Sequence, residues 1–280
     1  MNSILRRLGR RFAKPLLEMT LPWAERLTGF RTARGDYLPD RLRILTGRYE
    51  AEELDLMRPL LRPGQTIIDV GANVGYTTRF FARMAGPTGK VHAFEPNPLI
   101  FPLLKQNVAS LEQVSVYNLG LSSANGEFPL FIAGSNHAVA CFAEKYPASH
   151  LVYREGETMR SVDAKVVMGD QFLKQKGIDH VDVIKIDVEG WELNVLSGLA
   201  ETISASHDLT IFCEFNPRAQ ECAGRAPVVL INWLMNRQFS LAYPFHRHLR
   251  SLSNDTVESF IANPGAKGFT TLFATRKSSA

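Results

Sequence analysis

The stretch Thr66-Ile67-Ile68-Asp69-Val70-Gly71-Ala72-Asn73-Val74-Gly75 constrains this chain more than any other. An apolar, β-branched run ends in a glycine turn, and a helical pattern follows at once, with Thr77, Phe80, Phe81 and Met84 at i, i+3, i+4 and i+7. Strand, tight turn and helix in that order build the ligand crevice of an α/β sheet, at the carboxyl ends of its strands. Gly71 and Gly75 permit a sharp turn because neither carries a Cβ. The spacing is G-x-x-x-G rather than the G-x-G-x-x-G that lays backbone amides on a pyrophosphate. Asp69, inside the turn, repels phosphate.

A second strand, Val91-His92-Ala93-Phe94, ends in Glu95-Pro96 about twenty residues after the turn, where an acid commonly clamps ribose hydroxyls. A carboxylate accepts from two vicinal hydroxyls at once, and charged acceptors make the stronger hydrogen bonds. The alternative is that Glu95 only opens the helix near Asn97-Pro98. Taken in order, the two motifs favour a cationic nucleoside without phosphate, of which S-adenosylmethionine is the common example.

Charge is unevenly placed. Residues 1–48 hold eleven Lys or Arg against four Asp or Glu, so +7 of the net +4 lies there and the remainder is −3. The body of the chain is therefore not a basic nucleic-acid binder. Met1 to Lys14 carries Arg6, Arg7, Arg10, Arg11 and Lys14 and no acid, with Ile4, Leu5, Leu8 and Phe12 on the opposite helical face. Such a segment fits peripheral contact with an anionic membrane surface. No apolar run approaches the roughly eighteen residues of a span, and three unpaired-looking cysteines, Cys141, Cys213 and Cys222, suit a reducing compartment. A cytoplasmic protein, peripheral at the membrane at most, is expected.

The chain divides into a basic helical extension, residues 1–48, and a Rossmann-like domain, residues 49–280, with an insertion at about 121–168. Glu50 to Leu61 reads as a helix, with Gly47-Arg48-Tyr49-Glu50 at the mouth of the site. Leu99 to Ser110 is a second helix, and Val114 to Leu119 a third strand whose end, Gly120-Leu121-Ser122, lies where a base would fall. Gly126 to Ile132 and Thr158 to Val167 read as an inserted hairpin. Ala133 to Glu157 between them is long and turn-rich, with His137, Tyr146, His150 and Tyr153, and suits a lid or substrate loop. Phe239 to Tyr243 and Phe269 to Thr275 fit a closing antiparallel pair, with a loop around His246, Arg247 and His248 between them.

The fourth strand, Val181 to Asp187, runs into Val188-Glu189-Gly190-Trp191-Glu192. Lys185, Asp187, Glu189 and Glu192 crowd its carboxyl end, where buried charge is costly and so more often used. The fifth strand, Leu209 to Glu214, delivers Glu214 and Asn216 beside it. Asp187 is the first candidate for a base or acceptor-orienting carboxylate, with Glu189 and Lys185 behind it. Asp187, Glu214 and Asn216 could also hold Mg²⁺ through oxygen.

Asp69-Val70-Gly71-Ala72-Asn73-Val74-Gly75, Phe94-Glu95-Pro96-Asn97-Pro98 and Lys185-Ile186-Asp187-Val188-Glu189-Gly190-Trp191-Glu192, in that order, resemble the FkbM-type methyltransferases. The resemblance covers roughly Gly47 to Asn216. It implies a Rossmann-like class I methyltransferase: a mostly parallel seven-stranded sheet with helices on both faces. The implied cofactor is S-adenosylmethionine, and the implied acceptor a hydroxyl of a sugar, glycan or other secondary metabolite. By position, Asp69, Gly71, Asn73 and Gly75 would hold the methionine end and Glu95 the ribose. Ser122, at the adenine end, replaces the acid often found there. A nicotinamide-dependent oxidoreductase and a non-catalytic nucleoside-binding module of the same fold are the competing readings.

Overall fold

The computed structural model describes residues 17–134, 136–145 and 159–277. Residues 1–14, and Tyr146, His150 and Tyr153 of the expected lid, lie outside the described residues. The first described helix, α1, covers 17–28, followed by α2 (Leu38–Leu45) and α3 (Ala51–Met57). Leu21, Phe30, Leu38 and Leu45 pack on Val74 and Ile100, which seats this segment beside the glycine turn.

The main sheet is built on β1 (Thr66–Val70), flanked by β2 (Lys90–Phe94) and β8 (Val183–Ile186), both parallel to it. Ile67, Ile68 and Val70 are all buried because helices cover both faces of the strand. β3 (Val114–Tyr117) pairs with β2, and β9 (Leu209–Phe215) with β8, again parallel. On one face α4 (Tyr76–Ala85) lays Phe80 and Phe81 against Leu54, Met57, Phe212 and Phe273. On the other, Val195 and Leu196 of α7 (Glu192–Gly198) and Leu230 and Leu234 of α10 (Val228–Met235) share a core with Ile184, Ile186 and Phe215. Between α4 and α7 along the chain lie α5 (Phe101–Val108) and α6 (Gly169–Gln175). After α7 come α8 (Ala200–Ala205), α9 (Pro217–Cys222) and, following α10, α11 (Val257–Ala262).

The sheet has eight strands and is mixed, not seven mostly parallel ones. β12 (Thr270–Arg276) joins β9 antiparallel, β10 (Ser240–Phe245) joins β12, and β11 (His248–Leu252) closes the edge. The eighth strand, β11, falls where a loop was expected. It is an edge strand in which Leu252 alone is buried, so it carries no apolar run to announce it.

The insertion is likewise larger than a hairpin. Four strands form a separate sheet in the order β4 (Gly120–Ser122), β7 (Met159–Met168), β5 (Gly126–Ala133) and β6 (Asn136–Cys141). β4 is three residues long and reads as a turn; β6 occupies the first part of the expected lid. Gly198 allows this sheet to dock on α7, since a Cβ there would lie 1.9 Å from the carbonyl oxygen of Ser122.

Candidate active site

Strand order reverses at β1: the chain runs outward through β2 and β3, then returns to lay β8 and β9 on the other side. A crevice outside the carboxyl ends of the strands follows from that topology. There the structure has a cavity of about 1160 Å³. Its walls come from the β1 turn (Gly71, Ala72, Asn73), the β2 tip (Glu95, Pro96), β4 (Gly120, Leu121), the β8 and β9 tips, and the α2–α3 segment. Four of the five non-glycine residues with positive φ among the described residues, Glu50, Asn73, Glu189 and His246, line it. Backbone held in sparsely populated regions gathers at binding sites, where surrounding structure enforces it.

At one end the turn spends its amides internally. Gly71 and Ala72 both donate to the carbonyl of Phe94 at 3.0 Å, Gly75 donates to Ala72 at 2.8 Å, and Asn73 N–H donates to Glu95 Oε2 at 2.8 Å. No row of free turn amides remains for a pyrophosphate, which counts against the nicotinamide reading. Glu95 Oε1 also accepts from Asn97 N–H at 2.8 Å. Each oxygen retains a lone pair, so the carboxylate can still accept from two hydroxyls on the cavity side. Asn73 Oδ1 is buried and has no hydrogen-bond partner among the described residues. An unpartnered acceptor and a carboxylate with spare capacity fit an amino-bearing nucleoside with free ribose hydroxyls.

The expected cofactor residues divide. Gly71, Asn73 and Glu95 line the cavity. Asp69, Gly75 and Ser122 lie outside its lining. Asp69 is fully buried beneath the turn, where its Oδ2 accepts from Thr78 Oγ1 at 2.6 Å and its Oδ1 lies 3.9 Å from Lys185 Nζ. Burial raises its carboxyl above the usual range, with Lys185 and Thr78 opposing. Gly75 serves helix packing: a Cβ there would lie 2.8 Å from Leu104. Ser122 is buried in β4, and Gly120 and Leu121 face the cavity in its place.

At the other end Lys185 Nζ donates to Asp187 Oδ2 at 3.0 Å. Burial would pull the ammonium down, yet Asp187 and Asp69 hold it above its ordinary range, so Lys185 stays charged. Asp187, Glu189 and Glu214 bring one carboxylate oxygen each within 4.8 Å of one another. Burial, with Glu189, Asp187 and Glu192 nearby, pushes Glu214 well above the ordinary carboxylate range. Asn216 also lines the cavity, and its Oδ1 accepts from Ala219 N–H at 3.2 Å, capping α9. Asp187 and Glu214 of the expected trio are thus joined by Glu189. Glu192, the fourth charge of the motif, is fully buried; it accepts from Gly190 N–H at 2.9 Å and from the Gln220 amide. It shapes the turn and leaves the cavity to Glu189.

Further residues complete the wall. Glu53 Oε1 accepts from Thr271 Oγ1 at 2.6 Å, joining α3 to β12 across 218 residues. Burial raises Glu50 to about 8. Asp36 accepts from His137 N–H at 2.8 Å, which ties the α1–α2 segment to β6, and burial lifts its carboxyl to about 6. Tyr49 and Glu50 belong to the stretch expected at the mouth of the site and His137 to the expected substrate loop, whereas Glu53 and Asp36 stand in no motif.

The family model described as the methyltransferase FkbM domain matches residues 69–255. The hexuronic acid methyltransferase AglP of Haloferax volcanii is 30% identical over 172 residues, covering 59% of this chain and 62% of that protein. The 31-O-demethyl-FK506 methyltransferase FkbM of Streptomyces tacrolimicus is 29% identical, with 50% and 62% covered. The 2-O-methyltransferase NoeI of Sinorhizobium fredii is 23% identical, with 52% and 61% covered. The chain thus spans about three-fifths of the length of these curated relatives. Among solved structures, a precorrin-6y C5,15-methyltransferase from Geobacter metallireducens covers 89% of this chain and 94% of its own at 10% identity and a TM-score of 0.47. The family match includes the glycine turn, Glu95 and the strand tips that carry Asp187, Glu189 and Glu214, and on that match the chain belongs to the FkbM methyltransferase domain family.

Proposed function

We propose that this protein transfers a methyl group from S-adenosylmethionine to a hydroxyl of a sugar, glycan or other secondary metabolite. The observation that carries the reading is one cavity lined by Glu95, Asn73 and Asp187 together. When bound, S-adenosylmethionine supplies a methyl carbon already activated by a sulfonium. The protein's task is alignment and exclusion of water, and alignment alone can supply about 7–11 kcal/mol of a barrier.

Glu95 accepts the ribose hydroxyls and Asn73 Oδ1 an amino group. Gly71 keeps the turn close to the β8 tip. Asp69 acts from beneath, fixing Thr78 and sharing Lys185 with Asp187. Asp187, a third exposed and lining the cavity, takes the acceptor proton or orients the hydroxyl. A sugar hydroxyl is a weak nucleophile at neutral pH, so that help is worth roughly 10²–10⁴ in rate. Relatives named as a 2-O-methyltransferase and a 31-O-demethyl-FK506 methyltransferase favour oxygen as the acceptor atom.

Incubation with labelled S-adenosylmethionine and fractionated hydroxyl compounds tests the reading. Acceptor-dependent release of S-adenosylhomocysteine is expected; calorimetric uptake of a nicotinamide dinucleotide in place of the sulfonium nucleoside would refute it. The pH dependence is a finer test. Burial raises Glu95 to about 7, against the Asn97 and Asn73 N–H bonds that hold it down. Its ionised form is the one that accepts from two hydroxyls, so cofactor affinity rises with pH up to about 7 and is flat above. Below that point the Kd is expected to worsen by up to about tenfold per pH unit. Titration calorimetry on wild type and Glu95→Gln checks this: the variant binds more weakly at and above about pH 7 and loses the pH dependence.

A further inference from the structure

We propose that Asp187, Glu189 and Glu214 form a binding site for one divalent, oxygen-preferring cation at the acceptor end of the cavity. The three side chains leave the tips of two neighbouring parallel strands. Ile186 of β8 is in register with Cys213 of β9, so Asp187 and Glu214 emerge side by side, and the turn after β8 returns Glu189 to them. One carboxylate oxygen from each lies within 4.8 Å of the others, close to the spacing of two ligands across one ion.

The independent observation is Glu214 itself. It is 8% exposed, lines the cavity, and its Oε2 is buried with no hydrogen-bond partner among the described residues. A buried carboxylate oxygen left unsatisfied is costly, and metal coordination is one of the few ways to retain it. The nearest cation does not supply it: Lys185 Nζ is committed to Asp187 Oδ2 at 3.0 Å and to Asp69 at 3.9 Å. All three donors are carboxylates, with no imidazole or thiolate among them. That donor set suits Mg²⁺, Mn²⁺ or Ca²⁺ and disfavours zinc and copper. Three protein ligands leave coordination positions open toward the cavity, where an acceptor oxygen would enter. The acceptor role rests on the methyl-transfer reading; ion binding does not.

The test uses full-length protein stripped with chelator and dialysed, with Mn²⁺ as the probe. Electron paramagnetic resonance titration is expected to show one Mn²⁺ per chain. Glu214→Gln and Glu189→Gln should each weaken it by about tenfold or more. Glu189→Gln guards against a folding failure at the more buried Glu214, and melting curves accompany both. Absence of Mn²⁺ uptake by the wild type, or uptake that neither variant alters, overturns the site. Because the readout is binding, a protein that holds Mn²⁺ yet methylates nothing would refute the function and leave the site standing.

A different observation carries a second inference: the geometry of α1 points to an anionic lipid surface as its partner. Leu21 turns inward, while Met19, Trp23 and Leu27, one turn apart on the other side, are 73%, 69% and 88% exposed. Directly before this helix, residues 1–14 carry five basic side chains and no acid. An apolar stripe with an indole, in a chain whose first fourteen residues are basic in sequence, matches an interface of anionic headgroups over acyl chains. Flotation of the full chain with phosphatidylglycerol vesicles should show binding, and phosphatidylcholine vesicles little. The triple variant Met19→Ser, Trp23→Ser, Leu27→Ser should lose it. Equal binding by wild type and variant, or concentration-dependent self-association abolished by the variant in place of vesicle binding, would refute the lipid assignment.

Discussion

Gly71→Ala is expected to abolish cofactor binding and to lower stability by roughly 4 kcal/mol or more. A Cβ at this position would lie 1.9 Å from the carbonyl oxygen of Asp187 and 2.9 Å from its carbon. The obstacle is backbone, so no rotamer change relieves it, and the β1 and β8 tips must part. The residue also sits at φ 83°, in the left-handed region, which adds about 1–2 kcal/mol for any residue with a Cβ. The matched control is Gly177→Ala, with φ 66° and open space around the new methyl, which should cost only the backbone share. For a chain of this size a loss of that magnitude lowers the melting temperature by about 8–16 °C. Melting curves and calorimetry on both variants check it. A Gly71→Ala protein that melts like the control and binds S-adenosylmethionine normally would show that the turn and the β8 tip do not need to cross so closely.

Asp187→Asn is expected to cut turnover by about 10²–10⁴ while changing cofactor affinity by less than about threefold. The substitution conserves shape and removes the charge. Its amide oxygen can still accept from Lys185, which also retains Asp69 at 3.9 Å, so the floor of the cavity should survive. The cofactor end, 3.0 Å hydrogen bonds at Gly71 and Ala72 and the Glu95 contacts included, is made by other strands. The measurement is kcat with a saturating acceptor beside an equilibrium Kd for the cofactor. Undiminished turnover would remove Asp187 from the chemistry. A parallel collapse of cofactor binding would make it a structural residue.

Much of this site was legible in the chain because its signals are local. The β1 turn is announced by β-branched residues and two glycines, the β2 tip by an acid at the expected interval, and the β8 tip by charges packed onto an apolar strand. What the sequence leaves open is orientation at the tips. In a strand each side chain points to the face opposite its neighbour's, and Asp69 turns toward Thr78 of α4, beneath the turn. Asn216 lines the cavity and also caps the helix that Pro217 opens. Glu189 comes beside Asp187 and Glu214 through the turn after β8, where it adopts φ 51°.

From its residues alone the chain determined which strand tips carry acids, the G-x-x-x-G spacing of the turn after β1, and the order in which β1, β2, β3, β8 and β9 follow one another. Those follow from hydrophobic period, turn chemistry and spacing, each settled within a few residues. Only tertiary structure decided that Glu53 meets Thr271, that Asp36 meets His137, that β4 to β7 make a second sheet, and that Glu189 stands beside Glu214. These depend on strand order and register between segments far apart in the chain, and no local pattern encodes where a distant strand will end.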